Sequence, residues 1–198
     1  MSALWLSDNP IGDKGLQTIF DALKQNNTLK YLSVAKCGMT KTGVTSLADV
    51  MSTNKTLETV RIGYNKLGDR GITLLSGVLK QNNALKCLTV AGCGMTDTGV
   101  ASLADALHTN NTLETLRIDG NDTLTENGLT CFVEVLSRNS GLVTLWLPRH
   151  LRSSMDKVQK SINEARKRSG LTAIEVDGKY FEKLHCFHDK LNGWVLSQ

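Results

Sequence analysis

The sequence predicts an α/β solenoid, a right-handed horseshoe segment with a parallel sheet on its concave face and helices on its convex face. Three observations carry this. A motif of spaced leucines recurs at an almost constant interval along 198 residues. Within each copy the apolar period changes from two to about 3.6, as a short strand followed by a helix requires. A single copy cannot cover the apolar face of its own strand, so neighbouring copies must stack.

Repeats aligned on their leading leucine start at Leu29, Leu57, Leu85, Leu113, Leu142 and Leu171, at intervals of 28, 28, 28, 29 and 29 residues. The segments LKYLSVAKCGM, LETVRIGYNKL, LKCLTVAGCGM and LETLRIDGNDTL follow the pattern L-x-x-L-x-L-x-x-N/C-x-L. Residues 1–28 form a further copy, with Met1 in the leading place and Leu4, Leu6, Asn9 and Ile11 in register. Parallel strands are expected to begin near Leu4, Leu32, Val60, Leu88, Leu116, Leu145 and Ile174. In the third unit Val60 and Ile62 alternate, and Gly71, Ile72, Leu75 and Leu79 then recur at helical spacing. Asp69 stands near the start of that helix, where it could cap it, and Gln81-Asn82-Asn83 ends it. Helices are wider than the strand spacing of about 4.8 Å, so the stack is expected to curve with the sheet inside.

Asn9, Asn65 and Asn121 alternate with Cys37 and Cys93 after the strands. A side chain pointing inward there can bond otherwise unpaired backbone groups, a structural role. Leucine-rich units of alternating Asn and Cys type resemble the ribonuclease-inhibitor-like leucine-rich repeats, over about residues 1–176. NNTL and INEARKRSGLTAIEV look more like the repeats at the C-terminal end of NOD-like innate immune receptors. That resemblance implies ligand sensing or self-inhibition by contact, although no GxxxxGK[ST] nucleotide loop occurs in the chain.

Both ends depart from the repeat. The N-terminal unit is an ordinary internal one, so an uncapped apolar edge open to self-association is expected there. Near the other end Pro148, Arg149 and His150 break the Leu142 unit, and the last two units are degenerate. SSMDKVQKSINEARKRSG reads as a helix capped by Ser153 or Ser154 and ended by Gly170. Its outward face would carry Arg152, Lys157, Lys160, Arg166, Lys167 and Arg168, read mainly as a solvated basic face. Residues 177–198 leave the pattern, and Phe181, Leu184, His188, Leu191 and Val195 suggest a closing helical cap.

A net charge of +4 is too small to make nucleic acid the expected partner, and no apolar stretch approaches the roughly 18 residues of a membrane span. Five cysteines, Cys37, Cys87, Cys93, Cys131 and Cys186, lack paired spacing, so a reducing cytoplasm is expected. Asn26, Asn54, Asn110 and Asn121 begin N-x-T triplets that would accept glycans in a secreted protein. Three of them share one point of the repeat, which argues for a recurring turn. His185, Cys186 and His188 offer no second cluster to complete a metal site, and His108 and His150 have no motif-placed nucleophile beside them. No cofactor, metal or catalysis is expected.

Places three, five, seven and eight of each unit should face the concave side. The fifth is Trp5, Ser33, Arg61, Thr89, Arg117, Trp146 and Glu175, with Tyr64 and Asp119 in the flanking places. Trp, Tyr and Arg are the types that most often carry binding energy at protein interfaces. Trp5, Arg61, Tyr64, Arg117, Asp119 and Trp146 are therefore the candidate residues for a protein ligand, with Arg117 and Asp119 able to form an exposed ion pair that would stabilise little. Truncating Arg117 or Trp146 is expected to weaken binding and barely affect folding. Three functions fit: a module of a NOD-like receptor, a free-standing cytosolic inhibitor or GTPase regulator, and a secreted glycosylated binder.

Overall fold

A computed structural model describes residues 1–177. The proposed cap and the His185, Cys186 and His188 group lie outside the described residues. Seven three-residue strands form one parallel sheet in chain order: β1 (Ala3–Trp5), β2 (Tyr31–Ser33), β3 (Thr59–Arg61), β4 (Cys87–Thr89), β5 (Thr115–Arg117), β6 (Thr144–Trp146) and β7 (Glu175–Asp177). Between them run α1 (Gly12–Leu23), α2 (Lys41–Thr53), α3 (Gly68–Leu79), α4 (Asp97–Leu107), α5 (Glu126–Leu136) and α6 (Arg152–Arg168). Each helix packs on the next, and the pairing Leu32↔Val60↔Leu88↔Leu116↔Leu145 keeps the fourth place of every unit in one row.

That row and the sixth place point into a continuous core with the inward faces of the helices, and Leu32, Val60, Leu88, Leu116 and Leu145 are fully buried. Because side chains alternate along a strand, the third and fifth places lie on the opposite, open face. The last strand departs from the expected register. Leu145 pairs with Val176, so β7 is centred two residues beyond Ile174, and Glu175 takes the third place of its strand, not the fifth. The cause is α6, whose 17 residues exceed the 11 to 13 of the other helices and delay the strand.

Two hydrogen-bond ladders lock the stack. After the strands, Asn65 Oδ1 accepts from the amides of Cys37 and Met39 at 3.0 and 2.9 Å, while its Nδ2 donates to Val34 and Ile62 carbonyls. Asn121 repeats this with Cys93, Met95, Val90 and Ile118. The Cys37 and Cys93 thiols donate to Leu6 and Ile62 carbonyls, and burial pushes Cys93 up to about 12, so it stays a neutral donor.

The second ladder joins the helix ends. Asn54 Nδ2 donates to the carbonyls of Leu23 and Asn26, Asn110 to those of Leu79 and Asn82, and Asn139 to those of Leu107 and Asn110. Each Oδ1 also accepts from the backbone two and three residues on, closing the turn before the next strand. Asn54, Asn110 and Asn121, three of the N-x-T asparagines, are thereby buried and fully bonded. A glycan could not be attached to them in the folded chain.

Arg166 ends this ladder. It is 1% exposed, and its guanidinium donates to the carbonyls of Thr172, Leu136 and Asn139, the last two being the positions an asparagine of a further unit would serve. The basic face of α6 therefore excludes Arg166 and keeps Lys157, Lys160, Lys167 and Arg168 exposed. Capping also differs from expectation. Helix α6 begins at Arg152 with Leu151 before it, and Ser154, inside the first turn, donates instead to Glu126 of the preceding helix.

Asp69 caps the helix after its own. Its carboxylate accepts from the Thr96 amide at 2.8 Å, the Thr96 hydroxyl at 2.7 Å and the Gly99 amide at 3.0 Å. Asp13 does the same for α2 through Thr40 and Gly43, and Asp97 for α5 through Thr125. The approach is close enough that a Cβ at Gly99 would sit 2.7 Å from the Asp69 carboxylate. At the N-terminal edge β1 has one neighbour, and Leu4, Leu6 and Ile11 are half-buried where Leu32, Val34 and Met39 are fully buried.

Candidate protein-binding face

The open sheet face is short in depth because every strand has three residues, so its third and fifth places, with the turns that follow, supply most of its chemistry. Parallel pairing sets Trp5, Ser33, Arg61, Thr89, Arg117 and Trp146 in one row across β1 to β6. Ser33 and Thr89 are buried, whereas Trp5 is 45% exposed. Small residues thus form the floor between large ones.

The candidate side chains do not converge on one point. They form two groups. In the first, Arg61 Nη1 donates to the Tyr31 hydroxyl at 3.1 Å, and the Trp5 ring lies 4.1 Å from the Tyr31 ring between centroids. Burial pushes the Tyr31 phenol up, and the Arg61 charge pulls it part of the way back. In the second, the Arg117 guanidinium stands over the Trp146 ring at 4.8 Å and donates twice to Asp119, at 3.2 and 3.1 Å.

That ion pair is not the exposed one the sequence suggested, since the two side chains are 18% and 6% exposed. Removing Arg117 would leave a buried carboxylate without its bidentate partner, so Arg117 cannot be truncated without loss to the fold. Its spacing explains the pair: places five and seven of one strand lie on the same face.

Tyr64 lies between the groups. Its φ is +57°, a conformation that costs a bulky residue about 1 kcal/mol or more and that Gly92 and Gly120 hold freely at the same place of the next two units. A Cβ at Gly92 would come within 2.6 Å of the Tyr64 ring, and one at Gly120 within 3.6 Å of its hydroxyl. The ring thus crosses two strands over a lane of glycines. It stays 46% exposed, has Lys36 Nζ 5.6 Å from its centroid, and walls a hollow of about 560 Å³ with Lys66, Gly92 and Gly94.

Two members of the face were not singled out from the sequence. Tyr31 occupies a third place and joins Trp5 to Arg61. Cys87, the third place of β4, lies within the fields of both Arg61 and Arg117. Burial pushes its thiol up, and the two guanidiniums oppose this. A signal for Tyr31 existed in its position one strand and two places from Trp5, within diagonal reach on one face. Among the described residues no three His, Cys, Asp or Glu side chains come together as a metal site, and no helix is long and apolar enough to cross a membrane.

Among solved structures, the fold is similar to leiomodin-1 actin-binding site 2, with a TM-score of 0.50 and 17% identity over 86% of this chain and 83% of that one. It is also similar to a tropomodulin C-terminal domain from Caenorhabditis elegans, with a TM-score of 0.50 and 9% identity over 86% and 87%. At such identities the likeness is one of fold. No curated protein matches the sequence. Residues 1–20, 25–48, 53–76, 81–104 and 109–133 each match the family described as Leucine Rich repeat, and since these segments span more than half of the chain, it belongs to that family.

Proposed function

We propose that the chain is a protein-binding module whose ligand rests on the concave sheet face, held by the Trp5, Tyr31 and Arg61 group on one side and the Arg117, Trp146 and Asp119 group on the other. The observation that carries this reading is Tyr64: an aromatic residue kept in a strained conformation, half-exposed, over glycines that leave room for it. The left-handed turn itself belongs to the repeat, since Asp8 and Lys36 hold it at the same place of the two preceding units, and what sets Tyr64 apart is a large, half-exposed ring at that place. Rigid aromatic and arginine side chains on paired strands also supply contact area at little cost in ordering.

The finer role we propose is that of the ligand-sensing or autoinhibitory repeats of a NOD-like receptor, acting in the cytoplasm. The alternating Asn and Cys units and the NNTL turns support it, and the protonated, unpaired thiols suit a reducing compartment.

Trp146→Ala and Arg61→Ala are the variants that test the face, because neither strands a buried charge as Arg117→Ala would. Each is expected to weaken binding of a captured protein partner about thirtyfold, measured by calorimetry, with the thermal midpoint nearly unchanged. If Lys157→Glu and Lys167→Glu on α6 abolish the complex while Trp146→Ala and Arg61→Ala leave it intact, the reading fails.

A further inference from the structure

We infer that the floor between the two groups, at Arg61 and Thr89, is a notch that accepts an aspartate or glutamate side chain of the protein partner. The inference rests on the proposal that this face binds a protein, and it names the chemistry of the contact.

The first observation is a cation without a counterion. Several charges on this face and its rims are matched: Arg117 with Asp119 at 3.1 Å, Lys36 with Asp8 at 3.1 Å, Lys30 with Glu58 at 2.9 Å and Lys86 with Glu114 at 4.0 Å. Arg61 has no carboxylate within ion-pair distance among the described residues, and its hydrogen bond goes to the neutral Tyr31 phenol. Most of the five donors of its fork are unspent, and that fork fits a planar carboxylate through two parallel bonds.

The second observation is independent. Thr89, next to Arg61 in the row, is 6% exposed, and its hydroxyl has no nitrogen or oxygen partner, its weak contact being with the Cys87 sulfur. A buried hydroxyl in that condition is uncommon and calls for an explanation. It lies beside Arg61 across the β3 and β4 pair. When Arg61 leaves the phenol to take a carboxylate, an oxygen of that group can reach the Thr89 hydroxyl, so one ligand group would answer both unmet demands. A phosphoryl group fits less well, because Arg117 is already neutralised and the Asp119 carboxylate on the same face would repel a dianion.

The test uses the whole chain and acetyl-glutamate methylamide, a single carboxylate with neutral ends, titrated at low salt while side-chain and backbone NMR signals are followed. Saturable shifts are expected at the Arg61 Nε–H and the Thr89 and Cys87 amides, and none with the matched glutamine compound. Arg61→Gln should weaken binding at least tenfold. Thr89→Val should weaken it severalfold while the thermal midpoint holds or rises, since a hydroxyl without a partner is lost. A response that Arg61→Gln changes less than twofold, or no binding at all, overturns the notch. Shifts at Trp5, Tyr64 and Trp146 that omit Arg61 overturn the notch and leave the binding face standing. Shifts confined to Lys157, Lys167 and Arg168 overturn both.

Discussion

Asn110→Ala is expected to destabilise the fold by about 3–5 kcal/mol, although it removes no apolar contact of the core. The side chain is 3% exposed and carries donors to Leu79 and Asn82 carbonyls at 2.7 and 2.8 Å and an acceptor for the amides of Thr112 and Leu113. Alanine leaves the Thr112 and Leu113 amides without their acceptor and takes one donor each from the Leu79 and Asn82 carbonyls, which keep only the longer bonds from the Asn82 amide and the Thr112 hydroxyl. Urea unfolding followed by circular dichroism measures the loss. Asn83→Ala, at an exposed neighbour of the ladder, should stay within about 0.5 kcal/mol of the parent. Equal effects from the two substitutions would show that the ladder contributes little.

Arg166→Glu is expected to release the C-terminal repeat. The guanidinium donates to the carbonyls of Leu136 and Asn139, and a carboxylate would set negative charge against those oxygens inside the stack, a change of about 3–5 kcal/mol or more. Repeat arrays respond to such damage at the affected end, since each unit touches only its neighbours. Amide exchange should therefore accelerate at β7 and α6 while β3 and β4 keep their protection. Lys167→Glu, one residue on and exposed, should leave exchange unchanged. Uniform loss of protection along the chain would mean that the stack unfolds as one unit.

The first six strands were legible because leucine, isoleucine or valine at the fourth and sixth places has only one register that buries both. The seventh was not. Ile174 and Val176 are both apolar and two residues apart, so either register gives the same alternation, and the length of α6 decides between them. Asn65 and Asn121 showed their inward role through the motif, but the helix-end ladder was legible only as a turn. Its last member was hidden because Arg166 stands in a basic run that reads as solvated. The signal was the spacing: Asn54, Asn82, Asn110, Asn139 and Arg166 follow one another at 28, 28, 29 and 27 residues. The same holds for Asp69, whose partner Thr96 lies 27 residues away in the next unit.

For the face, place in the repeat told which side chains share it, and not where each one leans. Arg61 and Arg117 hold equivalent places, yet one turns to a phenol and the other to a carboxylate. The difference follows from their own units and neighbours: Gly63 stands where the Arg117 unit has Asp119, and Tyr31 is on the strand beside Arg61. A repeat can keep its core constant while such exchanges change the ligand it fits. The sequence pattern reports the core faithfully for the same reason that it is nearly silent on the ligand.

Hydrogen exchange of the chain alone and in complex with a captured protein partner tests the binding face most directly. New protection is expected at the turns after β3, β4 and β5, around Tyr64, Gly92 and Gly120, with the outer faces of α2 to α4 unchanged. Protection confined to those helices or to α6, with the open face of the sheet exchanging as it does in the free chain, would contradict it.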